Sequence, residues 1–98
     1  MFTKRIKSLL SDDEYRILQN YLILRPSTGK VIPQSGGLRK IRWNIKGSGK
    51  RGGLRIIYYW ETKSDVIFFL LIYKKNEQEN LTSSQLKILR KIMKEYLL

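Results

Sequence analysis

Phe2, Ile6, Leu9 and Leu10 recur at helical spacing, which predicts a short opening helix. Next comes Ser11-Asp12-Asp13-Glu14. Ser11 can cap a second helix, Glu14 can reach back as its capping-box partner, and the two aspartates suit the positive helix start. Tyr15, Leu18, Tyr21 and Leu22 then mark one side of that helix, and Pro26 stops it near Leu24. Two helices joined by a tight turn make a helical hairpin. Residues 25–37 are turn-rich and read as irregular.

Beyond residue 37 the period changes. Residues 38–43 and 54–60 read as strands, joined by the glycine-spaced turn KGSGKRGG. A second turn at residues 62–65 leads to a third strand over residues 66–73, VIFFLLIY. Its apolar residues do not alternate with polar ones, so both of its faces should be covered, as in a central strand. After the exposed KKNEQEN loop, Thr82 and Gln85 repeat the capping-box pattern, and Leu86, Leu89, Ile92, Met93 and Tyr96 form the apolar side of a last helix. The order α-α-β-β-β-α predicts an α+β domain: a helical hairpin and a C-terminal helix packed on a small antiparallel sheet. The helices are expected to cover one face and leave the other partly open. Trp43, Tyr58, Trp60 and Tyr96 read as packing residues.

The 98 residues are the length of one domain, spanning 1–98. There is no Cys, so disulfides, zinc–thiolate sites and a cysteine nucleophile are excluded, which suits a cytoplasmic setting. There is no His either, which removes the usual general base and the commonest metal ligand. The longest apolar run is far below the roughly 20 residues that span a bilayer, and no signal peptide is expected.

Charge changes the picture most. The net charge is +12, and between Glu14 and Glu61 ten basic residues occur without one acidic residue. Such a surplus points to a polyanionic partner. In a strand alternate side chains share a face. If Ile41, Trp43, Ile56 and Tyr58 enter the core, Lys40, Arg42 and Arg55 converge on the opposite face. Lys74 and Lys75 could border them, and Lys46, Lys50 and Arg51 would rim them from the turn, where glycines allow a sugar–phosphate backbone close. Any one of these cations reads most simply as a solvated strand residue. The set does not, because like charges on adjacent strands destabilise a sheet.

The glycine-spaced turn joins two strands and opens no helix, so it is no nucleotide loop. RNA, however, can be cleaved by its own 2′-hydroxyl if a catalyst removes a proton, stabilises charge on the phosphoryl oxygens and protonates the leaving oxygen. Arg55 or Arg42 could supply the electrostatic part, and a crowded Lys could act as base.

At GGLRKIR, KGSGKRGGLRIIYYW and FFLLIYKKN the chain resembles the RelE/HigB toxins of bacterial type II toxin–antitoxin modules, most strongly over residues 36–76 and most of all their HigB-like branch. The resemblance implies a small ribonuclease that cuts messenger RNA in the ribosomal A site without metal or other cofactor. It also implies an antitoxin, of helix-turn-helix type and encoded next door, that neutralises the toxin and with it represses their operon. The family's paired strand basics fall on Lys40 and Arg42, its G-x-R arginine on Arg55, and the basic residue after the last strand on Lys75. Tyr73 completes the candidate catalytic set, and Arg39, Lys46, Lys50, Arg51 and Lys74 are candidates for RNA or ribosome contact.

Two departures stand out. Where some RelE enzymes carry a catalytic tyrosine this chain has Leu81, so Tyr73, Tyr59 or a Lys must take that part. Members usually begin with a β-strand, whereas here Met1 sits almost at the hairpin; either the start is late or that strand is lost, leaving a sheet edge open. Two other functions fit the composition: a ParE-like gyrase poison, and a plain nucleic-acid-binding module.

Overall fold

The computed structural model describes residues 7–44, 53–78 and 80–97. A helical turn at residues 7–9 is all of the expected opening helix that falls within them. Helix α1 (Asp12–Leu24) starts at the predicted capping box: the Ser11 hydroxyl accepts from Glu14 N–H and the Glu14 carboxylate accepts from Ser11 N–H. Strands β1 (Lys30–Val31), β2 (Arg39–Asn44), β3 (Gly53–Glu61) and β4 (Val66–Lys74) form one antiparallel sheet in that order, and helix α2 (Ser83–Leu97) follows. Thr82 and Gln85 make the second capping box. No helix among the described residues is long and apolar enough to cross a membrane.

Four expectations need correction. The helices do not share a face. Leu18 and Leu22 of α1 pack with Ile41, Ile56, Tyr58 and Ile72 on one side of the sheet, while Leu89 and Met93 of α2 pack with Leu38, Ile57, Leu71 and Tyr73 on the other. An apolar stripe shows that a helix buries one side but not which sheet face receives it. The supposedly irregular stretch 25–37 contains β1, a fourth strand too short to show a period. Third, β4 is apolar on both sides because it lies between the two helices, yet it is an edge of the described sheet; the strand buried along most of its length is β3. Tyr96, expected on the packed side of α2, is 77% exposed.

Edge-to-face pairs Tyr15–Phe69 and Tyr21–Trp43 fix α1 on its face. Below it the fully buried Tyr58 anchors the chain between α1 and β1. Its hydroxyl donates to Pro26 O (2.7 Å) and accepts from Gly29 N–H (2.8 Å). Position 29 must be Gly, since a Cβ there would stand 2.7 Å from the Tyr58 ring. Burial pushes the Tyr58 pKa up, so the hydroxyl keeps its proton. Tyr58→Phe leaves one donor and one acceptor unpaired at a cost of about 2 kcal/mol. Urea denaturation should show a lowered midpoint; an unchanged midpoint would mean that the anchor contributes nothing.

Candidate functional site

The site lies at one end of the α2-side face and is built from register. Arg42 stands directly opposite Arg55 across the β2–β3 pair, and Arg55 directly opposite Tyr73 across the β3–β4 pair. Arg42, Arg55 and Tyr73 therefore form one rung, about 10 Å across at the usual strand spacing. One rung along, Lys30 of β1 stands opposite Lys40 of β2. Four cations from three strands thus share this face. The alternation that puts them there is enforced by the other side, where Ile41 and Ile56 enter the α1 core.

A register shift between Ile57 and Tyr58 brings Tyr73 onto the rung. Below it Ile56 pairs with Ile72 and Ile57 with Leu71, but Tyr58 pairs with Phe69, so Leu70 is the extra residue of a bulge. Leu70 and Phe68 consequently turn toward α2 with Leu71 and Tyr73.

The members of the rung differ in burial. Arg42 is exposed, Arg55 retains 7% of its surface and Tyr73 3%. The Arg55 guanidinium donates to the Leu54 carbonyl (3.2 Å), a neutral acceptor. Burying a cation with no carboxylate partner among the described residues costs several kcal/mol, and Arg42 opposite adds like-charge repulsion. Such a face favours an anion. The Tyr73 hydroxyl is buried with no hydrogen-bond partner among the described residues. Burial raises its pKa and the neighbouring Arg55 charge works against that rise, so the group holds its proton at neutral pH.

The Lys40 ammonium donates to Asn80 Oδ1 (2.9 Å), a neutral acceptor that holds it in place without cancelling its charge. A groove of about 400 Å³ opens beside it, lined by Thr28, Lys30, Lys40, Ile41 and Arg42. Lys75 follows β4 in an exposed turn, and its N–H donates to Gly53 O (3.0 Å), tying the turn to the end of β3 near the rung.

Other candidates lie elsewhere. Arg39 is on the α1 side, where it donates to Ser27 O and Gly29 O and sits 5.9 Å from the Trp60 ring centroid. Its neighbours give it a structural part. Lys74 alternates with Tyr73 and falls on the face opposite the rung. Lys46, Lys50 and Arg51 lie outside the described residues. Of the tyrosines that could replace Leu81, Tyr73 is on the rung, whereas Tyr59 is four residues along β3 beside Gly37. Leu81 packs against the α2-side core.

Sequence reasoning missed Lys30 and Asn80. A two-residue strand inside a turn-rich stretch carries no periodicity, and a loop asparagine carries no signal at all.

The elements and the face they carry define a small α+β domain with a cationic rung crossing one end of its sheet. The chain belongs to the RelE toxin family: the model of the RelE toxin of the RelE/RelB toxin–antitoxin system matches residues 24–98, from the end of α1 through α2. It is therefore the toxin of a toxin–antitoxin pair, with an antitoxin as its partner. Every member of the rung lies inside the matched segment.

Proposed function

We propose that this toxin is an endoribonuclease that cuts messenger RNA on the ribosome and so stops translation. The observation that carries this reading is the Arg42–Arg55–Tyr73 rung, which gathers two guanidiniums and a protonated phenol at one place. Arg42 and Arg55 hold the non-bridging phosphoryl oxygens, where charge accumulates as the 2′-oxygen attacks phosphorus. Lys40, held by Asn80, reacts as the free amine after releasing one proton to solvent, and takes the 2′-proton to return to the ammonium. The bond from phosphorus to the 5′-oxygen breaks, and Tyr73 protonates the leaving oxygen. Its hydroxyl lies deep in the rung and reaches the phosphate as Arg55 turns outward to grip it. The products are a 2′,3′-cyclic phosphate and a 5′-hydroxyl, and no metal is required. Lys75, with Lys30 beside Lys40, lengthens the cationic track for the RNA backbone.

The net charge of +12 suits a ribosome-bound enzyme. It also suits an antitoxin, encoded adjacently and of helix-turn-helix type, that covers this face with acidic residues. In a translating extract the chain should produce codon-phased cuts in messenger RNA while leaving the same RNA intact when ribosomes are absent. Equal cutting of naked RNA, or gyrase inhibition with intact message, would contradict this reading.

A further inference from the structure

A second cationic cleft lies on the same side of the sheet, away from the rung. It measures about 280 Å³ and runs between α2 and the turn that precedes β2. Leu38, Met93 and Tyr59 form its apolar wall, Gly36 its rim, and Arg90 and Lys94 of α2 its cationic edge. Leu38 and Met93 are buried, and the Tyr59 ring, half-buried, lies 3.3 Å from where a Cβ on Gly37 would stand. Gly36 takes a φ of 77°, and no atom comes within 4 Å of its missing Cβ, so the rim is open to a ligand. Arg90 and Lys94 are four apart, one helical turn, and so project on the same side of α2. Both are exposed, and neither has a hydrogen bond or ion pair among the described residues. No carboxylate among the described residues lines the cleft.

The geometry points to a second RNA contact here: one unpaired nucleotide, its base against the Tyr59 wall and its phosphate between Arg90 and Lys94. An aromatic wall beside paired cations is how single-stranded nucleic acid is held without regard to sequence. A carboxylate from an acidic peptide would meet the two cations but make no use of the flat wall, so a nucleotide fits more of what is present. Tyr59 and Arg55 are both on β3, roughly 13 Å apart at the usual strand rise, a separation of about two nucleotides. The two contacts could thus be served by one ribosomal or messenger strand, or by separate ones. This inference rests on the reading of the chain as an RNA-directed toxin, but not on its cutting RNA.

The test is binding of the full chain to a short 2′-O-methyl oligonucleotide, which cannot be cleaved by 2′-attack, measured by fluorescence anisotropy across a salt series without ribosomes. Each phosphate contact to a single strand contributes a slope of about 0.7 in log affinity against log salt. The double variant Arg90→Ala/Lys94→Ala should therefore bind roughly 25-fold more weakly at 0.1 M salt, with the slope reduced by about 1.4. Both positions are exposed, so its melting curve should match the parent's. A 5-iodouridine oligonucleotide should cross-link to Tyr59 in the parent and lose that cross-link in the double variant. Unchanged affinity and slope, or no cross-link at Tyr59, would overturn the proposal. So would a double variant that loses affinity for a poly-glutamate peptide but keeps it for RNA, since the cleft would then be a peptide site. A chain that binds as expected but never cuts on the ribosome would remove the nuclease reading and leave this contact standing. Normal cutting with unchanged binding would do the reverse.

Discussion

Arg55→Ala is expected to lower ribosome-dependent messenger cleavage by about 10²–10³-fold, the usual cost of removing one group that stabilises charge on the reacting oxygens. The effect should be this large because Arg55 is the centre of the rung, with Arg42 on one side and Tyr73 on the other. Arg42 is exposed and can be supplemented by Lys40 or Lys30, but no other side chain occupies the place of Arg55. Arg55→Lys should recover little, since an ammonium cannot grip two oxygens at once. The same substitutions should leave the fold standing. The guanidinium donates only to a neighbouring carbonyl in its described contacts and faces a like charge, so losing it relieves repulsion as it opens space. Cleavage assays paired with thermal melting check both halves. An Arg55→Ala chain that melts as the parent does and cuts at the parent's rate would remove Arg55 from the site.

Tyr73→Phe should move stability and activity in opposite directions. Its hydroxyl is buried with no partner among the described residues, a burden of about 1–3 kcal/mol that phenylalanine does not carry. The variant should be more stable by about 1 kcal/mol, which raises the melting temperature of a domain this size by about 4–8 °C. If the hydroxyl is the proton donor, cleavage should fall by about 10²–10⁴-fold. The pairing of outcomes is informative, because a hydroxyl with no part in the reaction would raise stability on removal and leave cleavage unchanged. A Tyr73→Phe chain that is more stable and fully active would pass the acid role to a lysine.

Much of this face could be read from alternation alone. Ile41 and Ile56 are committed to the α1 core, so strand geometry sends Lys40, Arg42 and Arg55 to the other side. The same rule puts Arg39 on the α1 side, next to Lys40 in sequence; its charge invited grouping it with the others, and the alternation was the better guide. Register was not legible. The sequence of a glycine-spaced turn does not fix which residues face one another, so the Arg42–Arg55 pair appears only in the structure. Tyr73 was harder still. The run from Val66 has no alternation to read, and the bulge opposite Ile57 and Tyr58 resets which of its residues turn toward α2. Lys30 was hidden by a strand of two residues, and the opposite placement of α1 and α2 by the fact that a helix stripe carries no information about the face it will cover.

The chemistry of the cut ends tests the central claim most directly. Messenger RNA programmed on ribosomes would be treated with the purified chain and its new termini identified by enzymatic end-labelling and mass spectrometry. A 2′,3′-cyclic phosphate on one fragment and a 5′-hydroxyl on the other, with cutting abolished by a single 2′-deoxy substitution at the scissile position, is the predicted result. Fragments bearing 5′-phosphates, or undiminished cutting of the 2′-deoxy message, would contradict it.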